Sequence, residues 1–158
     1  MIALPQQPNV AIEQIITSPF ASKPVFACHY DFLKDYMATS SRTAVKNKVS
    51  LISMLDDNWD GYGAVKPCNE VISNTYKALD AFCEYGYCLQ TDEDVYPTPY
   101  GSIVLDYKSY AGLLSVEIGK TKLGFFTDFV NGDNMCSAGI DTSFREVPEQ
   151  LKKALACL

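Results

Sequence analysis

Residues 55–64, Leu-Asp-Asp-Asn-Trp-Asp-Gly-Tyr-Gly-Ala, set oxygen-bearing side chains at alternate positions and follow them with a glycine. Asp56, Asn58, Asp60 and Gly61 reproduce the first half of a helix–loop–helix calcium loop, in which such oxygens wrap a hard cation. The second half does not follow. Eleven residues after Asp56, where a bidentate glutamate belongs, stands Pro67, and Glu70 comes three residues too late. A calcium site at Asp56, Asn58 and Asp60 would therefore be weak. A structural corner accounts for more of the residues. Asp57 or Asn58 would close the preceding helix or cap the turn, and Trp59 would fold back as an anchor. Asp60 would accept hydrogen bonds from loop amides, and Gly61 and Gly63 would supply backbone angles that a side chain forbids.

Other chemistries find less support. His29 is the single histidine and sits between Cys28 and Tyr30, with Asp31 next; sequence neighbours seldom face one another as a nucleophile and its base must. One histidine with scattered cysteines gives no zinc spacing. No phosphate-binding or dinucleotide glycine loop is present, so no cofactor is expected. The acids Asp92, Glu93 and Asp94 suit a solvated loop. Asp60, Asp94 and Tyr62 are the actors available to a small carboxylate/tyrosine enzyme. Ten tyrosines exceed what a core of this size takes in. Tyr96 and Tyr100, flanking Pro97-Thr98-Pro99, are expected at the surface, where aromatics favour interfaces.

The elements that must position these residues follow from hydrophobic spacing. Val10–Thr17 is apolar and fits either a strand or a short helix. Phe32, Leu33, Tyr36 and Met37 suit a short helix, after which Ala38–Ala44 would restart the chain with Ser40 or Ser41 as N-cap. Val45, Val49, Ile52 and Leu55 then predict a helix ending near Asp56. A second helix is predicted over Asn69–Glu84, with Ile72, Tyr76, Leu79 and Phe82 or Cys83 inward and Gly86 as its stop. Beyond it the period becomes two. Ile103, Leu105 and Tyr107; Leu114, Val116 and Ile118; and Leu123, Phe125 and Phe129 each share a face, with a turn at Asn131–Asn134 and a fourth strand from Met135. A last helix should start near Pro148 and bury Leu151, Ala154, Leu155 and Leu158. The reading is an α+β two-layer domain over residues 42–158, an antiparallel meander of about four strands covered by helices. Residues 1–41 form an N-terminal arm of short elements.

Asn58-Trp59-Asp60-Gly61-Tyr62-Gly63-Ala64, then Tyr96-Pro97-Thr98-Pro99-Tyr100-Gly101 and its strand, then Leu114-Ser115-Val116-Glu117-Ile118-Gly119, together resemble a family of small uncharacterised bacterial proteins. That family carries N-W-D-G-x-G-A, P-T-P-x-G-G and a strand similar to L-S-V-E-I-G. The likeness runs from about Val49 to Gly124, roughly half the chain. Ser102 departs from the second glycine, and Cys68 replaces a capping hydroxyl. The resemblance implies a shared fold and brings no established activity.

The net charge is −6 and the pI about 4.7. Such a surface repels nucleic-acid backbones and anionic lipid, and it suits a basic protein partner. The start lacks a signal peptide's basic, then apolar, pattern, and no apolar run spans a bilayer. Six cysteines without a C-x-x-C pair are expected to be reduced and mostly buried, as in a cytoplasmic protein. The sequence thus points to a non-enzymatic binding or regulatory module, antitoxin-like or immunity-like in the concrete version. Trp59, Asp60, Tyr62, Tyr96 and Tyr100 are its candidate contacts, and self-association is compatible with them.

Overall fold

The computed structural model describes residues 25–158 apart from Arg145, with side chains from Thr39 onward. The expected Val10–Thr17 element lies outside the described residues, as do the side chains of Cys28, His29 and Asp31.

Helix α1 runs unbroken over Val25–Ile52, so the expected restart at Ser40 or Ser41 does not occur. Thr43 shows how the polar stretch stays helical, its hydroxyl donating back to the Thr39 carbonyl at 2.9 Å. Val45, Val49 and Ile52 are buried as the spacing required, while Leu55 is half-buried beyond the helix end. Helix α2, Asn69–Glu84, follows the predicted bounds. Its buried stripe is Val71, Thr75, Ala78, Leu79 and Phe82, so Ile72 and Tyr76 flank the core instead of filling it. As expected of a cysteine at that position, the Cys68 N-cap makes no side-chain capping bond. Gly86, at φ 89°, ends the helix: its N–H reaches the Cys83 carbonyl at 2.9 Å, and that of Tyr87 reaches the Phe82 carbonyl at 2.9 Å.

This turn corrects the cysteine reading. Folding back at Gly86 brings the Cα atoms of Cys83 and Cys88 to 4.5 Å, and the two form a disulfide. Cys136 and Cys157 are exposed and Cys68 is half-buried, so the described thiols are not core residues either. Cysteine usage therefore gives no ground for a reducing compartment. No helix among the described residues is long and apolar enough to cross a membrane.

Five antiparallel strands follow in chain order: β1 Val95–Pro97, β2 Ile103–Ser109, β3 Gly112–Ile118, β4 Lys122–Phe129 and β5 Cys136–Asp141. The extra strand is β1, too short to show alternation. As an edge strand it tolerates Pro97. Ile103, Leu105, Tyr107, Leu114, Val116, Ile118, Leu123 and Phe125 point inward and share one core with α1, α2 and Leu151, Ala154 and Leu155 of α3 (Glu149–Ala156). The fold is thus the two-layer α+β arrangement. Salt bridges from Arg42 and Lys46 to Asp80, at 2.7 and 2.8 Å, tie α1 to α2. Asn74 donates to the carbonyls of Gly119 and Lys120, at 3.2 and 2.9 Å, and so fixes α2 on the β3–β4 turn.

Phe82 meets the edge of Tyr107 at 5.8 Å between ring centroids. The Tyr107 hydroxyl is buried with no hydrogen-bond partner among the described residues, and burial pushes its ionisation well above the ordinary tyrosine range. A hydroxyl shut away without a partner costs about 1–3 kcal/mol. Tyr107→Phe should therefore raise the melting temperature, and the gain should widen above about pH 10, where only the unfolded wild-type phenol ionises. Thermal melts of the two proteins from pH 7 to 11 check this; a lower melting point in the variant at pH 7 refutes it.

A candidate interaction groove on the open sheet face

The corner at residues 56–66 consumes its own polar side chains. Asn58 takes a left-handed backbone conformation, φ 64°, which asparagine tolerates. Its N–H donates to the Ala64 carbonyl at 2.6 Å, and its side-chain Oδ1 accepts from the Gly63 N–H at 2.7 Å. Asp60 Oδ1 accepts from the N–H groups of Tyr62 and Ala64 at 2.8 and 3.1 Å, and Asp57 Oδ1 accepts from Lys66 at 3.1 Å. Oxygens turned onto the loop's own amides do not converge on a cation. Asp56, the first ligand of the calcium reading, has a side chain 97% exposed and 3.9 Å from the Lys66 ammonium. Among the described residues no group of three or more His, Cys, Asp or Glu side chains could hold a metal ion. Trp59 is half-buried, its indole N–H shielded without an acceptor among the described residues.

The corner also positions something. The Val65 N–H donates to the Pro99 carbonyl at 2.9 Å, and Val65 bridges Tyr100 in parallel. That contact docks the corner on the β1–β2 turn. Gly101 is required there: it sits at φ +79°, and a Cβ would lie 3.2 Å from the Lys66 carbonyl. Within the turn, Thr98 Oγ1 accepts from the N–H groups of Tyr100 and Ser102, at 3.2 and 3.4 Å, and shares a 2.6 Å hydrogen bond with Ser102 Oγ. Ser102 Oγ then donates to Glu117 Oε1 on β3 at 2.5 Å. Corner, turn and carboxylate form one hydrogen-bonded chain.

Glu117 belongs to the sheet face away from the core. On that face Tyr96, Val104, Asp106, Leu113, Ser115, Glu117, Gly124 and Phe126 surround a groove of about 350 Å³, within the range of small-ligand sites. The register explains the depression. Gly124 faces Glu117 and Phe126 faces Ser115, so small residues lie between large ones. The Tyr96 hydroxyl donates to Asp106 Oδ2 at 3.1 Å. Burial first, and then the adjacent Asp106 charge, hold the Tyr96 phenol above its ordinary range. Asp106 Oδ1 is shielded and has no donor among the described residues. Among the described residues neither Asp106 nor Glu117 forms a salt bridge, although Lys108, which pairs with Asp94 at 2.6 Å, also feels the Asp106 charge, and Asp141 pairs with Lys122 at 3.3 Å.

Of the candidates named from sequence, the structure brings only Tyr96 into this groove. Tyr100, 88% exposed, stands on the adjoining turn, and Tyr62, 94% exposed, on the corner beneath it. Asp94 is taken up by Lys108 and Thr91, and Asp60 by the loop, so the carboxylate/tyrosine set of Asp60, Asp94 and Tyr62 is not assembled. The residues missed were Asp106, Glu117, Ser102 and Phe126. Their signal lay in the strand alternation, which put Asp106 and Glu117 opposite the core-facing residues beside Tyr107 and Val116. A second depression, about 600 Å³, lies beside the β2 edge and is spanned by the Asp94–Lys108 pair. Its central charges are already matched. No protein-family model matches the chain, and neither a curated protein nor a solved structure does so.

Proposed function

We propose that the protein is a non-enzymatic binding module that holds a basic segment of a protein partner on the open face of its sheet. The observation that supports this reading most is the pairing, in one groove, of half-exposed aromatic rings with two carboxylates that form no salt bridge among the described residues. Phe126 is 51% exposed and Tyr96 41%; a large apolar side chain on an open face gains by being covered, at about 25 cal/mol per Å² removed from water. The net charge of −6 favours encounter with a basic partner. An antitoxin-like or immunity-like role, in which the module occludes its partner, fits a small acidic chain of this kind. Membership of the bacterial family that its N-W-D-G-x-G-A corner resembles belongs to the same proposal.

A photo-crosslinking residue at position 126 tests it in the native host, with one at Tyr110, 105% exposed on the β2–β3 turn, as control. The expected result is one protein adduct at 126 and none at 110, with the crosslink mapping to an Arg/Lys-rich segment. Adducts equal at both positions, or an acidic crosslinked segment, refute the reading.

A further inference from the structure

We infer that the groove recognises an arginine side chain, whose guanidinium lies between Asp106 and Glu117. This rests on the open face being the binding surface and names the group bound there. In the β2–β3 register Asp106 faces Ser115 and Val104 faces Glu117, so the two carboxylates are diagonal neighbours on one face, with separations of about 7–8 Å typical of that relation. Calcium takes about six to eight oxygen ligands, and among the described residues no group of three or more His, Cys, Asp or Glu side chains stands here to supply them. A planar guanidinium carries five donors in a wide fork and can bridge them.

The acceptors are oriented before any ligand arrives. Tyr96 holds Asp106 through Oδ2, and Ser102 holds Glu117 through Oε1; each carboxylate keeps its second oxygen for a new donor. Asp106 Oδ1 is the one that most needs it, being covered without a partner among the described residues. Reaching it takes a side-chain movement at the groove wall, and the half-exposed Tyr96 and Phe126 rings there offer faces on which a guanidinium stacks. Gly124, opposite Glu117, leaves the space in which the group enters. A lysine ammonium is a compact, strongly hydrated point charge with three donors on one atom, so it matches a spread pair of carboxylates less well than the fork does.

Titration of the ¹⁵N-labelled protein with N-acetyl-arginine methylamide, and separately with the lysine analogue, tests this. The arginine probe should shift the amides around Asp106, Ser115 and Glu117 saturably. The lysine probe should bind at least about tenfold more weakly, as should the arginine probe to an Asp106→Asn/Glu117→Gln variant whose melting temperature is retained. Equal binding of the two probes, unchanged binding by the variant, or no shift in the groove would each overturn the inference. The crosslink at position 126 separates the two levels. If the Asp106→Asn/Glu117→Gln variant still captures the partner there at wild-type yield, the arginine contact is wrong and the binding face stands. If the arginine probe binds as expected while position 126 captures nothing, the contact stands and the protein-binding reading fails.

Discussion

Gly112→Ala should lower stability by about 3 kcal/mol or more, the largest loss expected from any single methyl group added to this chain. Gly112 opens β3 with φ +139°, a backbone angle outside the range of L side chains. A Cβ at that position would lie 2.2 Å from the Asp128 carbonyl oxygen and 2.8 Å from the Phe129 Cα. Both are main-chain atoms of β4, paired with Gly112 in the β3–β4 register, so no rotamer change relieves the overlap. Either β3 moves off β4 or the Ser109–Gly112 end of the β2–β3 hairpin opens. At about 2–4 °C per kcal/mol for a domain of this size, the melting temperature should fall by roughly 10 °C. Gly132→Ala is the control. Gly132 also has a positive φ, +80°, but an added Cβ meets nothing within 4 Å, so backbone strain alone should cost about 1 kcal/mol. Equal losses in the two variants would mean that the close approach of the two strands is not real.

The same strand pairing shows where the sequence was readable and where it was not. Alternation located β2, β3 and β4 because each buries one full face, and a slip of one residue would turn that face to water. It located α2 for the same reason, although the stripe settled one residue from the expected set, since Val71 and Thr75 are small enough to lie closest to the sheet. Helix α1 was misjudged at residues 38–44. Serine and threonine resemble caps in isolation, but a hydroxyl that bonds back to the preceding turn lets the helix continue. The Cys83–Cys88 bond was invisible as spacing and became predictable only with the tight turn at Gly86. The groove was the hardest part. Asp106 and Glu117 are far apart in sequence and unremarkable singly; only the register that places them on one diagonal, with Tyr96 and Ser102 as donors, makes them a site. The corner stood out because glycines, amides and a lone tryptophan crowd one stretch, yet this crowding reflects how the turn is closed. What it does beyond itself is support the Pro99–Gly101 turn.

That indirect support leads to the second large effect, Asp60→Ala. The substitution removes the acceptor of two amides, those of Tyr62 and Ala64, the second of them in a part-buried setting. Hydrogen bonds to a charged acceptor contribute about 1.5–3 kcal/mol when shielded and less when wet, so a loss of about 2 kcal/mol and roughly 4–8 °C in melting temperature is expected. Asp56→Ala should change almost nothing, because its carboxylate is exposed and its one ion pair is long. The calcium-loop reading orders these residues differently: there Asp56 and Asp60 are equivalent ligands, and millimolar calcium would stabilise the wild type alone. The structural reading carries a further consequence. Val65, next to Ala64, holds the Pro99–Gly101 turn, and that turn presents Ser102 to Glu117. Asp60→Ala should therefore shift the amide resonances of Ser102 and Glu117 and weaken binding in the groove, whereas Asp106→Asn should weaken binding and leave the corner amides in place. If Asp60→Ala loosens residues 57–66 without any change at Ser102, the corner holds only itself, and the groove is oriented by the sheet alone.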